Sequence, residues 1–330
     1  MGGKQPISTI SPYLLYCAPV IHLPTMNAML ADINLEHHIR ANIAAALAED
    51  LGTLSPALSR EQERGIANRD TVTADTDLTA QLIPEHTPAH ATVITRERMV
   101  LCGTQWFEGC FRALDVNCEI RWQLREGEVA ETNQTLCEIR GEARALLTAE
   151  RAALNFLQTL SATATATRRY VDTIAGTKTK IMDTRKTLPG LRMAQKYAVS
   201  VGGGHNQRIG LFDGILIKEN HILAAGGIRQ ALKAAYSLAP QDATIQIEVE
   251  SLNELREALD AGAKLILLDN FDLGAMRTAV NLNAGRAELE ASGGVNLKTV
   301  RSIAETGVDR VSIGGLTKDV QAVDLSMRFA

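Results

Sequence analysis

Thr244-Ile-Gln-Ile-Glu-Val249, Leu265-Ile-Leu-Leu-Asp269, Glu288-Leu-Glu-Ala-Ser292 and Arg310-Val-Ser-Ile-Gly314 form one series. Each is an apolar run of strand length that closes on or near a polar residue or glycine. Amphipathic stretches separate them. Ser251-Leu-Asn-Glu254 reads as a capping box, with Leu252, Leu255 and Leu259 as one helical stripe ended by Gly262. Leu297, Val300 and Ile303 form a second stripe, closed by Gly307. Glu248, Asp269, Ser292 and Gly314 recur about 22 residues apart, the length of one βα unit, which places them at the C-terminal ends of successive parallel strands. In β/α barrels that end carries the chemistry. Thr179-Lys-Ile-Met-Asp183 and Gly214-Ile-Leu-Ile217, which runs into Lys218, add two strands. About six strands fit between Lys178 and Gly315, fewer than the eight of a closed barrel. The expected fold class is therefore α/β, with an open, reduced barrel and its site at the C-terminal strand ends.

Upstream, the rhythm changes. A long helical zone runs from about Ala143 to Ile174, centred on Glu150-Arg-Ala-Ala-Leu-Asn-Phe-Leu-Gln-Thr-Leu160. Before it, His90-Ala-Thr-Val-Ile-Thr95, Cys118-Glu-Ile-Arg-Trp122 and Thr135-Leu-Cys-Glu-Ile-Arg140 alternate like half-buried strands, which predicts an α+β domain with a mostly antiparallel sheet. Glu126-Gly-Glu and Arg140-Gly-Glu read as turns. Leu35, Ile39, Ile43 and Leu47 share one helical face, so the fold is expected to begin near Ile33. The resulting division is an extension over 1–30, an α+β domain over 31–145, the barrel over 146–315 and a segment 316–330 packing back on the first domain. Met26 and Met29 stand just before the first helix, and the preceding stretch is expected to be a disordered extension or an over-long start assignment.

The 330 residues carry a net charge of −4, which argues against a general nucleic-acid binder and confines any basic site to a local patch. The five cysteines (Cys17, Cys102, Cys110, Cys118, Cys137) are odd in number and lack C-x-x-C spacing, which suits reduced thiols and a cytoplasmic protein. His86 and His90 are separated by Pro88, which spoils a helical zinc face. No apolar run approaches the ~20 residues of a membrane span.

Several charged residues stand in apolar surroundings. Arg185 and Lys186 follow a strand, Arg208 follows Gly202-Gly-Gly-His-Asn-Gln207, Lys218 continues Ile-Leu-Ile, and Arg151 sits in an apolar helix. Each alone fits a snorkelling surface cation; together they fit an anion site. Glu248 and Asp269 close apolar strands, so each faces a cation in a structural ion pair or holds Mg²⁺ or hydroxyl groups. Ser292-Gly-Gly and Gly314-Gly315 each precede an expected helix, as plain turns or as backbone cradles for phosphate. Two such turns on the last strands match the usual phosphate site of a β/α barrel.

The ordered set Asp183-Thr-Arg-Lys-Thr-Leu-Pro-Gly-Leu-Arg192, Gly202-Gly-Gly-His-Asn-Gln-Arg-Ile-Gly-Leu211, Leu216-Ile-Lys-Glu-Asn-His221, Glu248-Val-Glu250, Leu267-Leu-Asp-Asn270, Ser292-Gly-Gly294 and Gly307-Val-Asp309 resembles the quinolinate phosphoribosyltransferases, from about Ile33 to the C-terminus. The resemblance implies an N-terminal α+β sandwich, an open α/β barrel and an obligate homodimer whose subunits complete each other's sites, with higher homo-oligomers left open. It implies quinolinate and phosphoribosyl pyrophosphate as substrates, nicotinate mononucleotide, pyrophosphate and CO₂ as products, Mg²⁺ as cofactor and no organic cofactor. By motif, Arg185, Arg208 and Lys218 bind the quinolinate carboxylates, joined by Arg151 from the partner, and Lys186 binds the phosphoribosyl donor. Glu248 and Asp269 hold Mg²⁺, directly or through water, and ribose hydroxyls. Ser292, Gly293, Gly294, Gly314 and Gly315 cradle the 5′-phosphate, and Thr184 and Ile313 are further substrate-binding residues. The catalytic residues implied are Lys186, Glu248 and Asp269. One departure stands out: many relatives place a substrate-contacting histidine just before the arginine matching Arg208, where this chain has Gln207 and, two residues earlier, His205. Arg192 is expected to be structural. Two alternatives remain: a salvage nicotinate phosphoribosyltransferase, whose monoacid substrate needs fewer cations, and a non-catalytic metabolite-binding paralogue, which would not need Glu248, Asp269 and the glycines.

Overall fold

The computed structural model describes residues 34–52, 76–240 and 243–330; the extension expected over 1–30 lies outside them. Helix α1 (Leu35–Leu51) buries Leu35, Ile39, Ile43, Leu47 and Leu51, a four-residue spacing that keeps one face inward. The Asn34 side chain accepts from the His37 N–H at 3.0 Å, and Gly52 closes the helix at φ +68°.

The first domain follows. Strands β1 (Pro88–Thr95), β2 (Met99–Val100), β3 (Glu119–Trp122), β4 (Val129–Ala130) and β5 (Thr135–Glu142) surround α2 (Thr104–Leu114). A four-stranded antiparallel sheet has the order β12-β1-β5-β3, with β2 and β4 paired separately. Its strand β12 (Leu325–Phe329) comes from the far end of the chain, so residues downstream of the barrel complete this sheet. Trp106, Phe107, Phe111, Leu136, Ile139 and Leu146 share its buried core. Glu126-Gly-Glu is a turn, with Gly127 at φ +85°, and the Glu126 carboxylate accepts from the Gly103 N–H at 2.7 Å and the Thr104 N–H at 3.2 Å, capping α2. Arg140-Gly-Glu is instead the end of β5. Gly141 serves close approach there: a Cβ would lie 2.8 Å from Asp115 Oδ2 and 3.2 Å from Leu146 Cδ2.

Helix α3 (Ala143–Thr173) has 31 residues and joins the two cores. Leu146 to Ala164 pack in the first core, while Tyr170, Val171 and Ile174 pack against the second. Beyond it lie β6 (Lys180–Met182), α4 (Arg192–Val201), β7 (Gly214–Ile217), α5 (Glu219–Ala225), α6 (Ile228–Leu238), β8 (Thr244–Val249), α7 (Leu252–Asp260), β9 (Leu265–Asp269), α8 (Leu273–Asn283), β10 (Glu288–Ser292), α9 (Val300–Ala304), β11 (Arg310–Ser312) and α10 (Gly315–Lys318). The six strands form one parallel sheet in the order β6-β11-β10-β9-β8-β7. Its two edges, β6 and β7, do not pair with each other. His205 makes an isolated parallel bridge to Met182, and the chain then runs through Arg208 into β7.

Side-chain alternation divides the sheet. Ile217, Ile247, Val249, Ile266, Leu268, Leu289, Ala291, Val311 and Ile313 join the helices in the second core. Their neighbours Lys218, Glu248, Asp269, Ser292 and Gly314 therefore fall on the opposite face, toward the C-terminal edge.

Two local readings change. Ser292-Gly-Gly does not lead directly into a helix; α9 starts at Val300 and leaves Leu297 outside it. Gly293 and Gly294 have φ values of +103° and +60°, and Asn296 Oδ1 accepts from the Lys298 N–H at 2.9 Å, so local polar turns hold the segment out of helix. The capping box is half formed: Ser251 Oγ accepts from the Glu254 N–H at 3.2 Å, but the Glu254 carboxylate takes the Glu250 N–H at 2.7 Å rather than that of Ser251.

Candidate active site

The strand order arranges the candidate residues along one edge. From β6 to β7 the strand ends carry Thr184-Arg185-Lys186, Ile313-Gly314-Gly315, Ser292-Gly293-Gly294, Asp269, Glu248 and Lys218. The glycine turns thus lie between one group of cations and the two carboxylates.

At the β6 end, Lys186 rests on Gly314, where a Cβ would meet Lys186 Cδ at 2.9 Å. Thr184 Oγ1 accepts from the Lys186 N–H at 3.0 Å, and Thr317 Oγ1 donates to the Lys186 carbonyl at 2.8 Å. Arg185 is half-buried and its Nε has no hydrogen-bond partner among the described residues. Arg208 lies beside it: burial, and next the Arg185 charge, push the Arg208 pKa down, opposed by Asp213. Two neighbouring guanidinium groups with donors to spare form an electropositive pocket suited to carboxylates. Arg208 is oriented by its Nη1 donating to the Gly214 carbonyl at 2.9 Å.

A buried network fixes these cations relative to each other. Lys196 and Asp183 are both fully buried, and Lys196 Nζ donates to Asp183 Oδ1 at 2.5 Å and to the Gln207 carbonyl at 2.9 Å. Asp183 also accepts from Asn206 Nδ2 at 2.7 Å and from the Gln207 N–H at 2.8 Å. The residue before Thr184-Arg185 is therefore bonded to the two residues before Arg208. Burial pushes the Asp183 carboxyl up and the Lys196 amine down, and their mutual attraction opposes both shifts. Arg192 is structural, as expected. Its Nε donates to Thr187 Oγ1 at 3.2 Å, Nη1 to the Ile209 carbonyl at 3.1 Å and Nη2 to the Arg185 carbonyl at 3.4 Å.

At the other end, Lys218 Nζ pairs with Glu248 Oε2 at 2.9 Å; the lysine is half-exposed and the carboxylate mostly buried. Asp269 closes β9 in register with Ser292 and accepts from Asn270 Nδ2 at 2.8 Å. Gly293 is required where it stands, because a Cβ would collide with the Asn270 side-chain oxygen. Arg151 is not brought to this edge. It is exposed on α3, and no hydrogen bond or ion pair among the described residues joins it to Arg185, Arg208 or Lys218.

Gln207 does not face outward as a free donor. Its Nε2 donates to Glu290 Oε1 at 2.6 Å. Gln246 Nε2 donates to Glu290 Oε2 at 3.0 Å. Burial pushes the fully buried Glu290 carboxyl up, and these amides, Ser312 and the Arg310 charge hold it down. His205 is bridged to Met182, the last residue of β6: burial, then Lys180 and Arg310, push its pKa down. Lys196, Gln246 and Glu290 escaped the sequence reading. The signal for Lys196 was a lone lysine in the run Met193-Ala-Gln-Lys-Tyr-Ala-Val-Ser-Val201, every residue of which is buried.

Comparison with known proteins agrees with this geometry. The quinolinate phosphoribosyl transferase N-terminal domain model matches residues 77–161, and the C-terminal domain model matches residues 163–328. The two meet inside α3. A Mycobacterium leprae protein named nicotinate-nucleotide pyrophosphorylase (carboxylating) is 40% identical over 260 residues, 76% of this chain and 90% of that one. A Nicotiana tabacum mitochondrial quinolinate phosphoribosyltransferase (decarboxylating) is 36% identical over 265 residues, 75% of each. The nicotinate-nucleotide pyrophosphorylase structure from Francisella tularensis superposes with a TM-score of 0.79 at 40% identity, covering 89% of this chain and 96% of that one. The chain belongs to the quinolinate phosphoribosyltransferase family.

Proposed function

We infer that this chain joins quinolinate to the ribose of phosphoribosyl pyrophosphate and releases pyrophosphate and CO₂, yielding nicotinate mononucleotide for NAD synthesis. The observation that carries this reading is the strand-end edge on which Thr184–Lys186, the glycine turns, Asp269, Glu248 and Lys218 follow in order, with Arg208 close enough to Arg185 for their charges to interact. Quinolinate is a dianion, and fixed guanidinium groups match its carboxylates bidentately. Lys218 completes that clamp by exchanging its Glu248 partner for substrate. Lys186, Thr184 and the turns at Ser292–Gly294 and Gly314–Gly315 take the donor phosphates, whereas Ile313 faces the helices in the second core and its N–H donates to the Met182 carbonyl at 3.0 Å.

As pyrophosphate leaves, positive charge develops at ribose C1, and the nearby carboxylates stabilise it electrostatically. The pyridine nitrogen then bonds to C1 and becomes a pyridinium. The bond from pyridine C2 to the adjacent carboxylate then breaks: CO₂ leaves, the electron pair stays on C2 stabilised by the neighbouring N⁺ charge, and a proton from solvent takes that pair to give nicotinate mononucleotide, so neither a protein nucleophile nor an organic cofactor is required. Among the described residues no group of three or more His, Cys, Asp or Glu side chains could form an all-protein metal cage. Two carboxylates on neighbouring strands instead suit Mg²⁺, which retains water and phosphate oxygens. When bound, Mg²⁺ would neutralise charge on the departing pyrophosphate.

The active form in this reading is a homodimer in the cytoplasm, with Arg151 reaching the partner's quinolinate. Its exposed position fits that role, as do Leu211, Phe212 and Leu223, large apolar side chains exposed close in sequence to Arg208 and Lys218. No helix among the described residues is long and apolar enough to cross a membrane. The test is CO₂ and pyrophosphate release in equal amounts from quinolinate plus phosphoribosyl pyrophosphate with Mg²⁺; absence of turnover would refute the reading. Mixing Arg151→Ala with Arg185→Ala subunits is expected to regain activity through hybrid dimers, and no recovery would refute the shared site.

A further inference from the structure

The interior of a β/α barrel is ordinarily filled by branched apolar side chains. Here the face that carries Glu248, Ser292 and Gly314 also carries Gln246, Glu290 and Ser312, each two residues earlier on the same strand. Glu290 is completely buried. Among the described residues it makes no salt bridge; the amides of Gln207 and Gln246 donate to it, with Ser312 and the Arg310 charge as further stabilising groups. A buried carboxylate held by neutral donors is costly, so its retention needs an explanation beyond packing.

Both donors lie next to the site. Gln207 directly precedes Arg208, and Gln246 is two residues before Glu248 on the same face of β8. The Gln207 backbone is already held at its N–H by Asp183 and at its carbonyl by Lys196. Glu290 takes the remaining freedom, that of the side chain, and fixes how the chain leaves Gln207 toward Arg208. We propose that Glu290 is a positioning residue for the dicarboxylate pocket, setting Arg208 against Arg185 through Gln207 and tying that arrangement to the Glu248 strand through Gln246. Naming quinolinate as the dicarboxylate rests on the function proposed above; the positioning itself does not.

The test compares full-length wild type, Glu290→Gln, Gln207→Leu and the double variant. Glu290→Gln keeps the side-chain shape and is expected to leave the circular dichroism spectrum unchanged. The KM for quinolinate should rise about tenfold while that for phosphoribosyl pyrophosphate moves less than about threefold, the split expected when one substrate's contacts are displaced. Gln207→Leu should reproduce the split, and the double variant should be no worse than the poorer single, because both act through one link. Equal changes in both KM values, an unchanged quinolinate KM or additive effects would overturn the proposal. Should Glu290→Gln not fold, the split in Gln207→Leu decides alone. Wild type that turns over no quinolinate would count against the proposed function only. Calorimetric binding of pyridine-2,3-dicarboxylate would then decide the positioning: weaker binding by Glu290→Gln than by wild type supports it, and equal affinity overturns it.

Discussion

Replacing Lys196 by Met probes the buried pair beneath the site. The substitution keeps the side-chain length and removes the charge that faces Asp183, both groups being fully buried. Asp183 keeps two donors, Asn206 Nδ2 at 2.7 Å and the Gln207 N–H at 2.8 Å, but loses the one cation bonded to it among the described residues. Breaking such a pair from one side costs about 3–5 kcal/mol. Protonation of Asp183 sets an independent ceiling. Holding the carboxyl neutral in the folded chain at pH 7 costs about 4 kcal/mol, at about 1.36 kcal/mol per pH unit above the unfolded value near 3.9. The two figures agree, so the variant is expected to lose about 3–4 kcal/mol at pH 7 with a protonated Asp183. The sign of the pH effect follows. Between the unfolded value and pH 7 the folded variant binds one proton more than the unfolded chain, so its stability falls as pH rises. At pH 5 the protonation cost shrinks to about 1.5 kcal/mol, and the gap to wild type should narrow by about 2–3 kcal/mol. Urea unfolding followed by circular dichroism at the two pH values measures this. A gap below about 1 kcal/mol at pH 7, or one independent of pH, would refute the reasoning.

Gly293→Ala should destabilise by about 1–3 kcal/mol and raise the KM for the phosphoribosyl donor, because φ +103° and the Asn270 side chain both exclude a Cβ. Gly294→Ala, where a Cβ meets open space at φ +60°, should cost about 1 kcal/mol, and the reverse order would contradict the geometry. His205 has its pKa pushed down by burial and by the Lys180 and Arg310 charges, so on acidification the folded chain takes up this proton at a lower pH than the unfolded chain does. Wild type should therefore lose stability from about pH 7 to pH 5 more steeply than His205→Gln; parallel slopes in a thermal-melt series would disprove this.

The parallel sheet was legible because each strand repeats one pattern, apolar residues ending in a functional residue, at a constant interval. Glu248 and Asp269 announced themselves by interrupting that pattern at the strand ends. Glu290 interrupts it as well, but Ser292-Gly-Gly beside it drew the reading, and nothing local marks a partner 83 residues upstream at Gln207. Gly141 was taken for a turn because glycine after arginine is a common turn signal. Its true reason is tertiary, the approach of Asp115 and Leu146 to the β5 backbone. The helix expected after Ser292 failed for the opposite reason: Asn296 and Thr299 satisfy backbone groups locally, which periodicity does not register. Lys196 shows the same limit. It is a lone lysine in a run that is buried throughout, a signal the sequence reading passed over, and the identity of its anion depended on how β6 and α4 pack.

In the proposed function the Arg185–Arg208 pair reads a dicarboxylate at an edge shared with the phosphoribosyl donor. The most direct measurement is the ratio of kcat/KM for quinolinate over nicotinate, with CO₂ followed in the same reaction, for wild type and Arg208→Ala. Wild type should use quinolinate with one CO₂ per turnover and leave nicotinate essentially untouched, and Arg208→Ala should lose most of its activity toward quinolinate. Comparable use of nicotinate by wild type, or quinolinate kinetics unaffected by Arg208→Ala, would contradict the account.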